Sequence, residues 1–216
     1  MAQKNMKDIQ HFIWDFDGTL FDTYPVIIGD LRSALQEYGK DLDPVKTMEL
    51  MLINIPTARD YYADLYGIDR QELDAAYQRH HKTSVETMKS APMENVEKVL
   101  AAICDSGRHN YIFTHRKVVE TDEYLGKYGL AHYFREVVGP ESPRFAWKPA
   151  PDAVLYLMER YGMTKENAVM IGDRDCDLAS GRNAGVGSVH LICPIWPETL
   201  NCDWRLEDFA QMLEIL

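Results

Sequence analysis

The sequence predicts an α/β protein whose parallel sheet is covered by helices on both faces, and two observations lead to that class. Short apolar segments recur along the chain and end in polar residues, at positions 11–15, 110–114, 136–139, 168–173 and 187–192. Patterns of helical period separate or follow them, at positions 117–128, 151–161, 178–184 and 206–216. Strands that alternate with helices in this way are typical of right-handed βαβ units, which are buried on both faces.

The stretch between the first two predicted strands has a different pattern, because it contains no clear strand. One helical face is formed there by Ile27, Leu31, Ala34, Leu35 and Tyr38. Three further helices are predicted. The first begins at Asp43-Pro44, and the other two cover residues 56–66 and 71–88. We therefore predict a helical insertion, or cap, over residues 20–88, and an α/β core made of residues 1–19 and 89–216.

The composition is that of an acidic globular protein. Of the 216 residues, 46% are hydrophobic and 26% are charged, and the formal net charge is −11. Without a long basic run, this charge argues against nucleic acid and anionic membranes as partners. The start of the chain lacks the apolar region of a signal peptide, and no apolar run approaches the roughly 20 residues that span a bilayer. We expect a cytoplasmic protein with free thiols, because no CxxC pair occurs among Cys104, Cys176, Cys193 and Cys202.

Polar side chains follow three of the predicted strands. Asp15, Thr114 and Asp173 each end an apolar segment, and parallel α/β sheets bind ligands beyond the carboxyl ends of their strands. Asp15 and Asp17 repel each other at such a place unless a cation or a proton intervenes. Carboxylates for a hard cation, together with a lysine (Lys148) and a hydroxyl for anionic oxygens, predict a phosphate site that binds magnesium.

Four motifs support a family resemblance, and they are Asp15-x-Asp17-Gly18-Thr19, Thr114, Lys148-Pro149 and Gly172-Asp173-x-x-x-Asp177. In this order and on this strand pattern, they resemble the haloacid dehalogenase superfamily of phosphatases over nearly the whole chain. The insertion is similar to the helical cap of the branch that contains phosphoglycolate phosphatases and β-phosphoglucomutases. The resemblance implies a Rossmann-like core, a Mg²⁺ cofactor and a small-molecule phosphate ester as substrate.

The resemblance also implies roles for the matched residues. Asp15 is expected to be the nucleophile that becomes an aspartyl phosphate, and Asp17 the acid that protonates the leaving oxygen and later activates water. Thr114 is expected to hydrogen-bond the phosphoryl oxygens, and Lys148 to neutralise charge on the phosphoryl group and the nucleophile.

Magnesium is expected on Asp15, on Asp173 and on the backbone carbonyl of Asp17. Asp177 is either a further ligand or a partner of one, and the sequence does not distinguish these roles. A substrate contact is also expected from the backbone near Gly18.

Residues outside the four motifs are weaker candidates for the site. His115 and Arg116 follow Thr114 directly, and we expect His115 to contact the substrate. Asp175 is expected to be a solvated residue at the start of a helix. Adjacent histidines in a helix point about 100° apart, so His80 and His81 are not predicted to share a metal ion. Three residues of the insertion are candidates for contacting the leaving group, namely Tyr24, Arg59 and Lys82.

Several functions remain open at this stage. Asp17 favours a phosphate ester over a carbon–halogen bond or a phosphonate, because an alkoxide leaving group needs a proton. A phosphomutase shares every core residue with a phosphatase and is the main alternative. A phosphoacceptor signalling domain and a protein that kept the fold without turnover fit the motifs and the insertion less well. The identity of the substrate and the choice between monomer and homodimer are left open.

Overall fold

A computed structural model describes residues 5–140, 145–192 and 200–216 of the chain. The chain divides into two compact units, one made of Met1–Phe21 and Pro92–Leu216 and the other of Asp22–Ala91. The sequence analysis predicts junctions after residues 19 and 88, and the extent of the cap stays a prediction.

The secondary structure follows the predicted alternation. The strands are β1 (His11–Trp14), β2 (Phe21–Asp22), β3 (Ala91–Pro92), β4 (His109–Phe113), β5 (Phe134–Val138), β6 (Ala168–Gly172), β7 (Gly187–Leu191) and β8 (Trp204–Leu206). The helices are α1 (Tyr24–Gln36), α2 (Pro44–Ile53), α3 (Ile55–Tyr66), α4 (Arg70–Glu86), α5 (Val96–Asp105), α6 (Val118–Lys127), α7 (Asp152–Tyr161), α8 (Asp175–Ala184) and α9 (Phe209–Ile215).

Six strands form one parallel sheet in the order β5-β4-β1-β6-β7-β8. Strand β1 lies in the middle, and all residues of β1, β6 and β7 are buried, as expected for strands that are covered on both faces. Helix α5 packs against β4 and α9, whereas α8 packs against β6, β7 and α7. The predicted α/β class with a Rossmann-like parallel sheet is confirmed.

The core of the larger unit is assembled from side chains of the sheet and the helices. Ile13, Tyr111, Met170 and Leu157 belong to one buried cluster, and each of them is fully shielded from solvent. Burying a side chain of this size stabilises the folded state by roughly 1.5–3 kcal/mol relative to leaving it in water. This packing holds the ends of the central strands in place.

Several elements differ from the sequence analysis, and the two-residue strands β2 and β3 are not among the predicted elements. Helix α5 is not among the predicted elements, although Val96, Val99, Leu100 and Ile103 are buried at the spacing of one helical face. Strand β8 has only three residues, too few for an alternating pattern to be visible. Helix α8 begins three residues earlier than predicted, because the backbone N–H of Arg174 donates to the carboxylate of Asp177 and caps the helix there.

The smaller unit contains four helices, as predicted for the insertion. Asp43 caps α2 by accepting a hydrogen bond from the Lys46 N–H at 2.9 Å, and Pro44 is the first helical residue. The two neighbouring histidines have separate partners, because His80 contacts Glu37 and His81 contacts Asp30. Within the unit, α1 packs mainly on α4, and α2 on α3.

The cysteines and the helices bear on the expected location. Cys104, Cys176 and Cys202 are free thiols, and Cys193 lies outside the described residues. In the part of the chain that the structure describes, no helix is both long enough and apolar enough to span a membrane. The cytoplasmic location stays a prediction.

Candidate active site

Three of the predicted site residues lie at one edge of the central sheet. Asp15, Thr114 and Asp173 directly follow β1, β4 and β6, which are neighbours in the sheet. The Asp15 N–H donates to the Ile171 carbonyl at 2.8 Å, and the Thr114 N–H donates to the Val138 carbonyl at 3.0 Å. The strand ladder therefore continues to the point where the polar side chains begin, and it fixes their backbones.

Lys148 links two carboxylates of this edge. Its ammonium group donates to Asp15 Oδ1 at 2.5 Å and to Asp177 Oδ1 at 2.8 Å. The lysine side chain and that of Asp177 are fully buried, and Asp15 is only 1% exposed. The Phe113 ring lies 4.8 Å from Nζ and shields it further. Two anions thus share one cation, and all three side chains are buried.

The buried charges shift one another's titration. Burial and the neighbouring Asp177 raise the pKa of Asp15, and Lys148 opposes this rise. Burial acts in the same direction on Asp177, but Lys148 and Arg174 outweigh it and lower the pKa of Asp177. Burial disfavours the charged form of Lys148, yet the two carboxylates overcome this and raise the pKa of the lysine. The lysine therefore stays protonated, and negative charge is left over for a further cation or proton.

The residues at this edge fit a divalent cation. Asp15, Asp173 and Asp177 each offer one carboxylate oxygen, and these oxygens lie within 4.8 Å of one another. Asp15 Oδ2 is buried and has no hydrogen-bond partner among the described residues. Thr19 donates its hydroxyl to Asp173 Oδ1 at 3.2 Å and orients that side chain. Hard cations such as magnesium prefer oxygen ligands of this kind.

The close approach of Asp177 depends on a glycine. A Cβ atom at Gly172 would lie 2.3 Å from the Cβ of Asp177, which is impossible without displacing one of the two backbones. Glycine at the end of β6 therefore lets α8 bring Asp177 to Lys148. The sequence does not distinguish the roles of Asp177, and in the structure its side chain accepts a hydrogen bond from Lys148 and lies close to Asp15 and Asp173.

The side chain of Asp17 has a different partner from that of Asp15. Asp17 Oδ1 accepts hydrogen bonds from Arg116 Nη2 at 2.6 Å and from Arg116 Nε at 3.1 Å. Among the described residues, the carboxylate cluster that could bind a metal does not include the Asp17 side chain. The expected role of the Asp17 backbone carbonyl as a metal ligand stays a prediction, and the pairing of the Asp17 side chain with Arg116 was not predicted.

Thr114, His115 and Gly18 complete the set of predicted residues. The Thr114 hydroxyl accepts the Arg116 N–H at 3.0 Å, and His115 Nε2 accepts the backbone N–H of Lys148 at 2.9 Å. Burial, followed by the charges of Lys148 and Arg174, lowers the pKa of His115 to about 3, so the imidazole is neutral.

Gly18 adopts a positive φ of 78°, which favours glycine. Its N–H donates to the Phe21 carbonyl at 2.9 Å, so this amide stabilises the turn itself.

Arg174 is a residue of the site that the sequence analysis did not identify. It is only 9% exposed, and its Nε lies 3.8 Å from Asp177 Oδ2. Its place between the acids Asp173 and Asp175 is the signal that could have identified it. Asp175 itself begins α8, is largely exposed and pairs with Arg182, as expected for a solvated residue at a helix start.

Comparisons with known proteins agree with this geometry. Residues 12–191 match the family model of the haloacid dehalogenase-like hydrolases. The phosphoglycolate phosphatase of Haemophilus influenzae is 27% identical over 94% of this chain and 96% of its own. The fructose-1-phosphate phosphatase YqaB of Escherichia coli is 30% identical over 83% of this chain and 94% of its own. A crystal structure of a predicted phosphoglycolate phosphatase from Haemophilus somnus covers 96% of this chain and 98% of its own, with a TM-score of 0.83 and 22% identity.

The fold and the acid–lysine site define a hydrolase of the α/β class. The chain belongs to the haloacid dehalogenase-like hydrolases. Its relatives are phosphatases, which confirms the predicted enzyme class. Their names differ in the substrate, so the comparisons do not single out one phosphate ester.

Proposed function

We propose that the protein is a magnesium-dependent phosphatase that hydrolyses a small phosphorylated metabolite through an aspartyl phosphate on Asp15. One observation carries the proposal. Lys148 holds Asp15 by Oδ1, while the buried Oδ2 has no hydrogen-bond partner in the described chain. A buried carboxylate oxygen without a partner costs free energy, and it is the atom that a reacting phosphorus or a metal ion would meet.

In the proposed first half-reaction, a carboxylate oxygen of Asp15 attacks the phosphorus atom of the ester. The bond between phosphorus and the leaving oxygen breaks, and Asp17 gives its proton to that oxygen. Lys148 and the Thr114 hydroxyl hold the phosphoryl oxygens, on which negative charge is concentrated. The alcohol leaves, and the phosphoryl group stays on Asp15.

In the proposed second half-reaction, Asp17 accepts a proton from a water molecule that attacks the phosphorus atom. The bond between phosphorus and Asp15 breaks, inorganic phosphate is released, and both aspartates return to their starting states. Gly18 allows the chain to turn between Asp17 and the β2 strand, and His115 fixes the backbone of Lys148. Both features support the position of groups that contact the phosphate.

Magnesium would be held by Asp15, Asp173 and Asp177, together with the backbone carbonyl of Asp17. When bound, it supplies positive charge that neutralises the phosphoryl oxygens. The rest of the proposed chemistry is carried out by residues of the chain. Lys148 already supplies one positive charge. Because two anions of the acidic cluster share that single lysine, negative charge remains that a divalent cation would neutralise.

We further propose that Asp22–Ala91 acts as the cap that excludes water and selects the leaving group. Support comes from its separate, all-helical structure and from its position in the chain between Asp17 and Thr114. The relatives' names mention phosphoglycolate and fructose 1-phosphate, so small carboxylate and sugar phosphates are the first candidates.

The proposal is tested by measuring phosphate release from a panel of phosphorylated metabolites, with magnesium or with a chelator. The panel includes glycolate, sugar and nucleotide esters, with and without a sugar bisphosphate. We expect release of inorganic phosphate that requires magnesium and no bisphosphate. A strict need for the bisphosphate, with transfer to a second hydroxyl, would instead identify a phosphomutase. No turnover of any ester would contradict both.

A further inference from the structure

We propose that Arg116 is a positioning residue that holds the carboxylate of Asp17 in the orientation needed for proton transfer. The inference rests on the proposed function, in which Asp17 is the acid and base. It assigns to this reaction a residue that lies 99 positions away from Asp17 in the sequence.

Two nitrogen atoms of one guanidinium group contact the same oxygen of Asp17. Nη2 lies 2.6 Å and Nε 3.1 Å from Asp17 Oδ1. The two contacts restrain the position of that oxygen from two directions, and a lysine at this position would offer only a point charge. The Asp17 side chain is 16% exposed, and that of Arg116 only 5%.

Arg116 is itself held on its other sides. Its side chain is only 5% exposed, and its guanidinium carbon lies 5.6 Å from the centre of the Phe16 ring and 5.5 Å from that of Tyr124. Glu120 approaches Nη1 at 3.4 Å from the first turn of α6. A side chain that packs against two rings and an acid has little freedom left, and it can therefore hold a partner in place.

The backbone of Arg116 is tied to the same site. Its N–H donates to the Thr114 hydroxyl at 3.0 Å. Strands β1 and β4 are neighbours, so the residues after them meet at one edge. Arg116 therefore connects the proposed acid and base after β1 with the proposed phosphate contact after β4. The expected effect on the rate is large, because a positioned acid or base accelerates such reactions by roughly 10²–10⁴-fold.

The first test compares Arg116→Met and Arg116→Lys on β-glycerol phosphate and 4-nitrophenyl phosphate in magnesium. We expect kcat of Arg116→Met on the glycerol ester to fall about 100-fold with little change in KM, because a misplaced catalytic group loses about that much rate. The loss should be smaller on the nitrophenyl ester, whose leaving group needs less help from a proton. Arg116→Lys should recover part of the loss. Equal losses on both esters, or none, would contradict the proposal.

A matched control removes a different buried arginine. Arg108 is as buried as Arg116, and it packs on the Phe12 ring at 5.4 Å. It precedes β4, at the opposite edge of the sheet from the site. Arg108→Met should lower the melting temperature without changing the ratio of the two rates. The same change in ratio for both variants would show that general loosening is the cause.

A double-mutant cycle separates this inference from the proposed function. Turnover of 4-nitrophenyl phosphate is measured for Asp17→Asn, Arg116→Met and the double variant, with melting temperatures to confirm folding. If Arg116 acts through Asp17, adding Arg116→Met to Asp17→Asn should cost less than about threefold. Independent, multiplying losses would overturn the role of Arg116 alone. Full activity of Asp17→Asn would overturn the proposed function instead.

Discussion

Each unit of the protein buries an aspartate, and the surroundings of the two carboxylates differ. Asp30 in the smaller unit is 4% exposed, and both of its oxygens are hydrogen-bonded. Ser84 donates to Oδ1 at 2.5 Å, and His81 Nδ1 lies 3.0 Å from Oδ2. Asp15 in the larger unit is 1% exposed, and its Oδ2 has no such partner in the described chain.

The difference separates a carboxylate that stabilises a fold from one that is available for chemistry. The bonds to Asp30 join α1 to α4, so that charge contributes to helix packing and leaves no oxygen for a ligand. At Asp15 the pairing is incomplete, and a nearby acid competes for the same lysine. Burial alone therefore does not distinguish the two acids, and the proposed role of Asp15 rests on its unpaired oxygen beside other acids.

The largest expected effect comes from removing the charge of Asp15, and the same change at Asp30 is the comparison. Asp15→Asn should lower turnover by at least about 10⁴-fold, because it removes the proposed nucleophile. It should leave the melting temperature unchanged or higher, since Asp177 keeps Lys148 paired. Asp30→Asn should keep kcat per folded molecule within about threefold and lower the free energy of unfolding by about 1–3 kcal/mol. Steady-state kinetics and denaturant unfolding check both, and equal kinetic losses would remove the distinction.

The next effect concerns stabilisation by magnesium. This stabilisation should depend on the carboxylates of the proposed site and not on Asp30. Chelation should abolish turnover, and magnesium at about 100 times its Kd should stabilise the wild type by about 2.7 kcal/mol. Asp173→Asn should largely remove this stabilisation, and Asp30→Asn should retain it. Thermal unfolding with and without magnesium measures the shift. A magnesium response that survives in Asp173→Asn would show that the ion binds elsewhere.

The smallest effect is expected from His11. This buried imidazole becomes neutral on folding, whereas the charge of Asp15 is paired with Lys148. Burial, and then the neighbouring His109 and Arg135, lower the pKa of His11 to about 4. Its ordinary value is 6.5, so the unfolded chain binds this proton more readily, and stability rises with pH between about 4 and 6.5. The contribution is complete above 6.5 and lost as the pH falls through 4.

We expect this contribution to be about 1–2 kcal/mol after allowance for solvent screening. His11→Gln should flatten the pH dependence of unfolding in that window. The exposed His132, changed in the same way, should leave it intact. An unchanged slope in His11→Gln would mean that other groups set the acid stability.

Much of the fold followed from local patterns. Buried parallel strands such as β1 and β6 are continuous apolar runs, and Asp43 with Pro44 is a complete local signal for a helix start. Helix α5 has an equally clear apolar face, although it is not among the predicted elements. In contrast, β8 is held by pairing with β7, which is a contact between distant residues and leaves no local pattern.

The sequence by itself determined which residues stand at the ends of the central strands, and the family motifs determined the proposed chemistry of Asp15, Asp17, Thr114 and Lys148. Tertiary structure alone decided how their charges are shared. Whether Asp177 binds the lysine and whether Asp17 has an arginine partner depend on side chains that approach from different elements. Distances of a few ångströms between such groups set pairing, burial and pKa, and no spacing along one chain encodes them.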